Sequence, residues 1–140
     1  MRLGKGPAWA LAALMAMVAV VFIAERVSES KAADRVREAV ASAAQVRVNG
    51  EEIPDPAILF ATLRLVGHVS AHHSHPTTPI RIDLVTGSST AAVVIARDSE
   101  RPREFWAFLP GSNWHNDPMG QLAGSITSGD LDRFLRQRGL

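Results

Sequence analysis

The sequence predicts an α+β protein with an N-terminal transmembrane helix and a helical stalk, followed by a small antiparallel sheet of three or four strands packed by two helices. Three observations predict it. Residues 7–24 contain no charged, amide or hydroxyl side chain. After His68 the apolar period changes from that of a helix to that of a strand. Helix start and stop signals flank residues 57–66 and the C-terminal segment.

The apolar run is long enough to reach across a bilayer. As a helix it spans roughly 27 Å, against a hydrocarbon thickness of about 30 Å. A cleavable signal peptide has a shorter apolar core with a small-x-small site close behind it. Here the nearest such site, residues 30–32, follows Glu25, Arg26 and Glu29. We therefore expect residues 7–24 to be an uncleaved anchor in the lipid bilayer, after a basic tail of residues 1–6.

The orientation of the anchor depends on the charges beside it, because Lys and Arg favour the cytoplasmic side. Arg2 and Lys5 favour a cytoplasmic N-terminus. The four bases of residues 25–39 favour the reverse, but four acids accompany them. Because a short basic tail is typical of a signal anchor, we expect a single-pass protein of the cell (inner) membrane with an extracytoplasmic C-terminal domain.

Composition limits the rest of the chain. Residues 45–140 fit one small domain. The net charge is +1, from 15 basic and 14 acidic residues, and no basic patch carries interleaved aromatics, so we expect no nucleic-acid partner. The absence of cysteine excludes disulfides, thiolate metal sites and a cysteine nucleophile.

Residues 25–44 are rich in alanine and charge and lack glycine and proline, which predicts a helical stalk continuing the anchor. Val36, Val40 and Ala43 share one narrow stripe of this helix. Such a stripe is typical of a solvated stalk whose valines rest on the domain. It is also typical of a coiled-coil seam, which would make a homodimer through the stalk.

Two local patterns follow the stalk. Residues 45–53 alternate around Asn49-Gly50, which predicts a hairpin. Asp55 is the expected N-cap, and Pro56 the first position, of a buried helix over residues 57–66 that ends at Gly67. A helix lying in the membrane interface is the alternative.

The second half of the chain predicts an antiparallel meander and a closing helix. We expect strands at residues 67–73, 80–84, 90–96 and 104–109, and a short edge strand at residues 122–126. Residues 90–96 are apolar on both faces, as in a central strand. Thr127 or Ser128 is the expected N-cap of the last helix, whose apolar face carries Leu131, Phe134 and Leu135.

Four of the five histidines lie within residues 68–75. On a strand, His73 and His75 would share one face about 6.5 Å apart. Two imidazoles at that spacing can hold one zinc or copper ion, with His115 or Asp117 as a third ligand. Because the cluster lacks a fixed ligand spacing, a partly exposed strand end and loop explains it better, and a histidine pH sensor is a further hypothesis.

Two features predict contact with a protein partner. The loop of residues 97–103 contains Arg97, Arg101 and Arg103, and Trp114 lies in a polar segment. The alternative for the loop is a solvated segment whose acids neutralise its arginines.

The sequence carries no motif with a catalytic mechanism, whether nucleophile elbow, P-loop, dinucleotide fingerprint, zincin or EF-hand. We therefore expect a protein that is not an enzyme. The architecture favours a membrane-anchored binding or assembly module of a bacterial-type cell envelope, whose partner is another envelope protein. Histidine-mediated metal binding or pH sensing is the second hypothesis, and a small hydrolase without a recognisable motif is the third.

Overall fold

The computed structural model describes residues 8–69, 73–111 and 119–140. Its helices and strands follow in chain order: α1 (Ala8–Ser42), β1 (Gln45–Val48), β2 (Glu51–Glu52), α2 (Ala57–Leu63), β3 (Pro76–Thr86), β4 (Ser89–Asp98), β5 (Glu104–Leu109), β6 (Gln121–Thr127) and α3 (Gly129–Gln137). The α+β class is as predicted, with one long apolar helix at the N-terminal end.

The six strands of the described chain form one antiparallel sheet in the order β2-β1-β3-β4-β5-β6. The expected sheet of three or four strands is too small. The hairpin around Asn49 and Gly50 forms, with a positive φ at both residues (49° and 87°). It joins the sheet because β1 pairs with β3, which directs Val46 and Val48 into the common core.

Helix α1 has two halves of different surroundings. It is long and apolar enough to cross a membrane, and none of its most apolar 18-residue stretch is buried. Beyond the apolar half, Ala32, Ala33, Val36 and Val40 are buried in the same core as the sheet. The residues expected to form a stalk therefore pack as a core element of the domain.

One face of the sheet holds the main core, where α1, α2 and α3 contribute side chains. Ile80, Ile82 and Leu84 point into this core, as their alternation predicts. Strand β4 is central, because Val93 to Ala96 are buried on both faces. A smaller cluster of Val94, Ala96 and Phe108 lies on the other face.

Helix α2 is shorter and more exposed than the sequence predicts. It ends at Leu63, and Ile58 is 41 % exposed. Gly67 does not close the helix: its N–H donates to Ser125 O at 3.0 Å, and Ser125 N–H donates back to Gly67 O at 2.8 Å. Pairing with β6 replaces the expected C-terminal cap.

The structure describes residues 67–69 and 73 of the strand expected at residues 67–73, and these do not form a strand. Gly67 makes an isolated bridge with Ser125, and β3 begins only at Pro76. Glu29 on α1 binds the next amide, that of Val69, so this N–H is not free for a longer ladder. By contrast, the C-terminal helix forms with Ser128 as its N-cap, accepting a hydrogen bond from Leu131 N–H.

Candidate functional site

A cavity of about 300 Å³ lies between α1, residues 67–68 and β6, close to the end of the apolar half of α1. We name it the α1–β6 cleft. Its lining residues share a position between the helix and the sheet edge: Arg26, Glu29, Ser30, Ala33, Arg37, Gly67, His68 and Ala123.

The helix side of the cleft follows from residue spacing. Arg26, Ser30, Ala33 and Arg37 recur at intervals of three or four residues, which places them on one face of α1. Small side chains at Ala33 and Ala123 let the helix approach the sheet closely, and both are buried. The charged side chains flank this close contact.

Glu29 connects α1 to the segment after α2. Its Oε1 accepts a hydrogen bond from Val69 N–H at 3.1 Å and lies 3.2 Å from His68 Nδ1. The Glu29 side chain is 16 % exposed, whereas that of His68 is 50 % exposed. The carboxylate is therefore the inner partner, and the imidazole faces the opening.

The two arginines of the cleft have different surroundings. Arg37 donates from Nη2 to Val66 O and from Nη1 to Asp34 Oδ1, the latter at 2.6 Å. Arg26 is exposed, and no described residue forms an ion pair or hydrogen bond with its guanidinium. Arg26 thus has donors that no residue in the described ranges uses, at the end of the cleft nearest the apolar helix.

The position of Gly67, which lines the cleft, depends on a second glycine in β6. Gly124 has φ +147°, and a Cβ there would lie 2.1 Å from Gly67 O. That distance is far below any allowed contact, so glycine is needed at position 124 for Gly67 to pair with Ser125 of β6.

A second polar centre surrounds the buried carboxylate of Asp98. Ser74 Oγ donates to it, Trp106 Nε1 donates at 2.8 Å, and the backbone N–H groups of Glu100 and Arg101 each donate at 2.9 Å. Burial raises the pKa of this carboxyl, but the donated hydrogen bonds outweigh burial and hold its pKa below the ordinary range. A carboxylate held in this way is a structural anion that fixes the β4–β5 loop.

The histidines predicted to bind metal lie in a loop. His73 and His75 are exposed and precede β3, so the shared strand face on which their spacing was based is absent. His75 Nδ1 lies 3.3 Å from Ser99 Oγ. Within the described ranges, no group of three potential ligands could hold a metal ion. His115 and Asp117 lie outside the described residues, and the zinc or copper site stays a prediction.

The predicted partner-binding residues separate into two groups. Arg97 packs inside the domain: its guanidinium lies 2.9 Å from Asp132 Oδ1 and 5.5 Å from the centre of the Phe105 ring. Arg101 is exposed and 3.3 Å from Glu104 Oε2, and Arg103 is exposed. Trp114 lies outside the described residues.

No family model, curated protein or solved structure matches the chain. We therefore infer its function from its own residues.

Sequence reasoning missed both the α1–β6 cleft and the Asp98 centre. The helical spacing of Arg26, Ser30, Ala33 and Arg37 is visible in the sequence. The residues around positions 67–68, however, do not indicate that this segment lies beside that face of α1. An acid followed by Ser-Glu-Arg after a strand is a turn pattern that Asp98 fits. Its side-chain donors come from distant parts of the chain.

Proposed function

We propose that the chain is a single-pass membrane protein whose α+β domain is a binding or assembly module of the cell envelope, held against the bilayer by its own core helix. One observation carries the proposal. Helix α1 is continuous, with an exposed apolar half and a second half that contributes Val36 and Val40 to the core.

The exposed half of α1 favours lipid as its surroundings. Leu11 is 67 % exposed, Met15 65 % and Phe22 62 %. Large apolar surfaces of this kind are unfavourable in water and mark interaction or membrane sites. Because the apolar residues surround the helix on all sides, a bilayer suits it better than one protein groove.

The second half of α1 argues against removal of the apolar segment. Cleavage after Ala32 would remove Ser28 and Glu29, both of which bind the domain. It would also remove Ala32, which is 1 % exposed and belongs to the core. The domain would lose all of these contacts, so the folded domain favours the uncleaved chain.

Very little chain separates the apolar run from the domain. Glu29 lies five residues after Ala24, which is about 7.5 Å along a helix. The headgroup layer on each side of a bilayer is roughly 5–7 Å thick. A domain attached this closely stays at the membrane surface, where it can hold a partner at a fixed height.

For the partner, we propose another envelope protein that contacts the exposed Arg101 and Arg103. Arg103 supports this choice because it lines a shallow cavity of about 360 Å³ together with two ion pairs of α3, Arg133–Asp130 and Arg136–Asp132. Arg97 is left out of this surface because its ion pair with Asp132 holds it inside the domain.

A fusion after Leu140 and a photoreactive crosslinker test the proposal in cells. A phosphatase reporter that is active only outside the cytoplasm should be active when fused after Leu140. A crosslinker at Arg103 should capture one envelope protein, while the same group at the exposed Glu51 of the opposite sheet edge should not. An inactive reporter would contradict the extracytoplasmic placement, and equal adducts at both positions would contradict the partner surface.

A further inference from the structure

We propose that the α1–β6 cleft binds the phosphate group of a phospholipid from the adjoining leaflet. This inference rests on the proposed membrane anchoring and adds a specific ligand to it. Three properties of the cleft carry it: its depth relative to the apolar run, its donors and its size.

The depth of the cleft matches that of lipid phosphates. Arg26 follows Ala24 by two residues, about 3 Å along the helix. Arg37, at the far end, lies about 20 Å beyond Ala24 by the same rise. The end of the cleft at Arg26 is therefore level with the headgroups, and the remainder extends away from the hydrocarbon.

The donors of the cleft suit a phosphate ester. Arg26 has no partner among the described residues, and a guanidinium can bind phosphate oxygens through two parallel hydrogen bonds. The Ser30 hydroxyl, one turn further along the same face, is exposed and can donate to the same group.

Glu29 is the acidic residue that lines the cleft, and its Oε1 faces the segment after α2. Glu29 uses Oε1 to accept from Val69 N–H and to meet His68, and its side chain is only 16 % exposed. His68 therefore lies between this carboxylate and the opening. Arg26 and Ser30 are exposed whereas Glu29 is mostly buried, so the two donors are more accessible to a phosphate than the carboxylate is.

The size of the cleft suits a headgroup more than a whole lipid. Its volume of about 300 Å³ is at the lower limit of small-molecule sites. The acyl chains would remain in the bilayer beside the exposed apolar half of α1. A lipid is favoured over free phosphate because anchoring supplies its phosphate at high local concentration.

The test uses the full chain in nanodiscs that contain phosphatidylglycerol in phosphatidylcholine, with native mass spectrometry of the released protein. Arg26→Gln should lower the fraction of chains that retain phosphatidylglycerol about tenfold, as expected for loss of one charge-assisted contact. Lys31→Gln is the matched control, because Lys31 is an exposed base on α1 outside the cleft lining. It should change retention less than twofold.

The remaining outcomes separate the sources of phosphate. Equal retention in wild type and Arg26→Gln would overturn the inference, and equal losses in both variants would show general charge attraction instead. Displacement of the lipid by excess inorganic phosphate would assign the cleft to free phosphate and overturn the lipid assignment. If Arg26→Gln and wild type both sediment with membranes, the proposed membrane anchoring is supported whatever the lipid measurement gives.

Discussion

Gln121 Nε2, at the first residue of β6, donates a hydrogen bond of 2.7 Å to Ser28 Oγ on α1. The same nitrogen also donates to Ser28 O at 3.2 Å. Ser28 lies only four residues beyond Ala24, where the apolar run ends. The edge of the sheet is therefore bound to the helix at the first turn outside the apolar segment.

Replacing Gln121 by alanine should loosen this attachment without unfolding the domain. Because the contact is exposed, we expect a loss of only about 0.5 kcal/mol in the free energy of unfolding. Amide hydrogen exchange of Leu122 and Ala123 should accelerate more than exchange in β3. Gln137→Ala, at an exposed position in α3, should leave both rates unchanged.

Removing the Asp98 carboxylate should lower the free energy of unfolding much more than Gln121→Ala does. Asp98→Ala leaves the Trp106 indole and the Ser74 hydroxyl without their buried acceptor, so we expect a loss of about 3 kcal/mol. Urea unfolding of the full chain in detergent micelles measures it. Asp83→Ala, at a half-buried carboxylate paired with Arg81, is a suitable comparison and should cost less. Equal losses in the two variants would contradict the central role of Asp98.

The Asp98 carboxylate should also make the free energy of unfolding depend on pH. The pKa of Asp98 is lower in the folded chain than the ordinary value of about 3.9. Its contribution to stability is therefore fully present above about pH 5 and is lost as the pH falls through and below about 4. Wild type should lose more stability than Asp98→Asn between pH 5 and pH 3, as measured by urea unfolding. Parallel pH profiles would contradict this assignment.

Alanine substitutions at Gly124 and Gly87 distinguish the stability cost of a steric clash from that of backbone strain alone. Gly124→Ala adds a Cβ 2.1 Å from Gly67 O and should cost about 3 kcal/mol or more. Gly87→Ala, at φ +57° with open space around it, should cost only about 1 kcal/mol. Thermal unfolding of both variants tests the difference. Similar melting temperatures would show that residues 67–68 do not pair tightly with β6.

Because the second half of α1 contributes to the core, it limits how far the chain can be shortened from its N-terminal end. A chain of residues 25–140 retains Val36 and Val40 and should fold without detergent. A chain of residues 45–140 lacks both and exposes the sheet face that they cover, so it should not give a dispersed NMR spectrum. A folded 45–140 fragment would show that α1 is a separable stalk.

Local patterns predicted most of the secondary structure. Alternation located Ile80, Ile82 and Leu84, the Asn49-Gly50 pair located the first hairpin, and Ser128 was one of the expected caps of α3. Each of these depends on residues close in sequence, where side-chain period and turn chemistry decide the conformation.

Non-local pairing was not predictable in the same way. Nothing near Gln45 shows that β1 will pair with β3 some forty residues later, so the sheet was expected to be smaller. The bridge between Gly67 and Ser125 and the donors around Asp98 also join distant segments. Their register is set by packing of the whole core, which a single sequence does not display.

The intact mass of the chain in the membrane fraction of cells tests the central claim most directly. We predict a form that retains residues 1–32 and resists carbonate extraction. A soluble mature form beginning near Ala33 would contradict the claim that α1 is both the membrane anchor and a core helix.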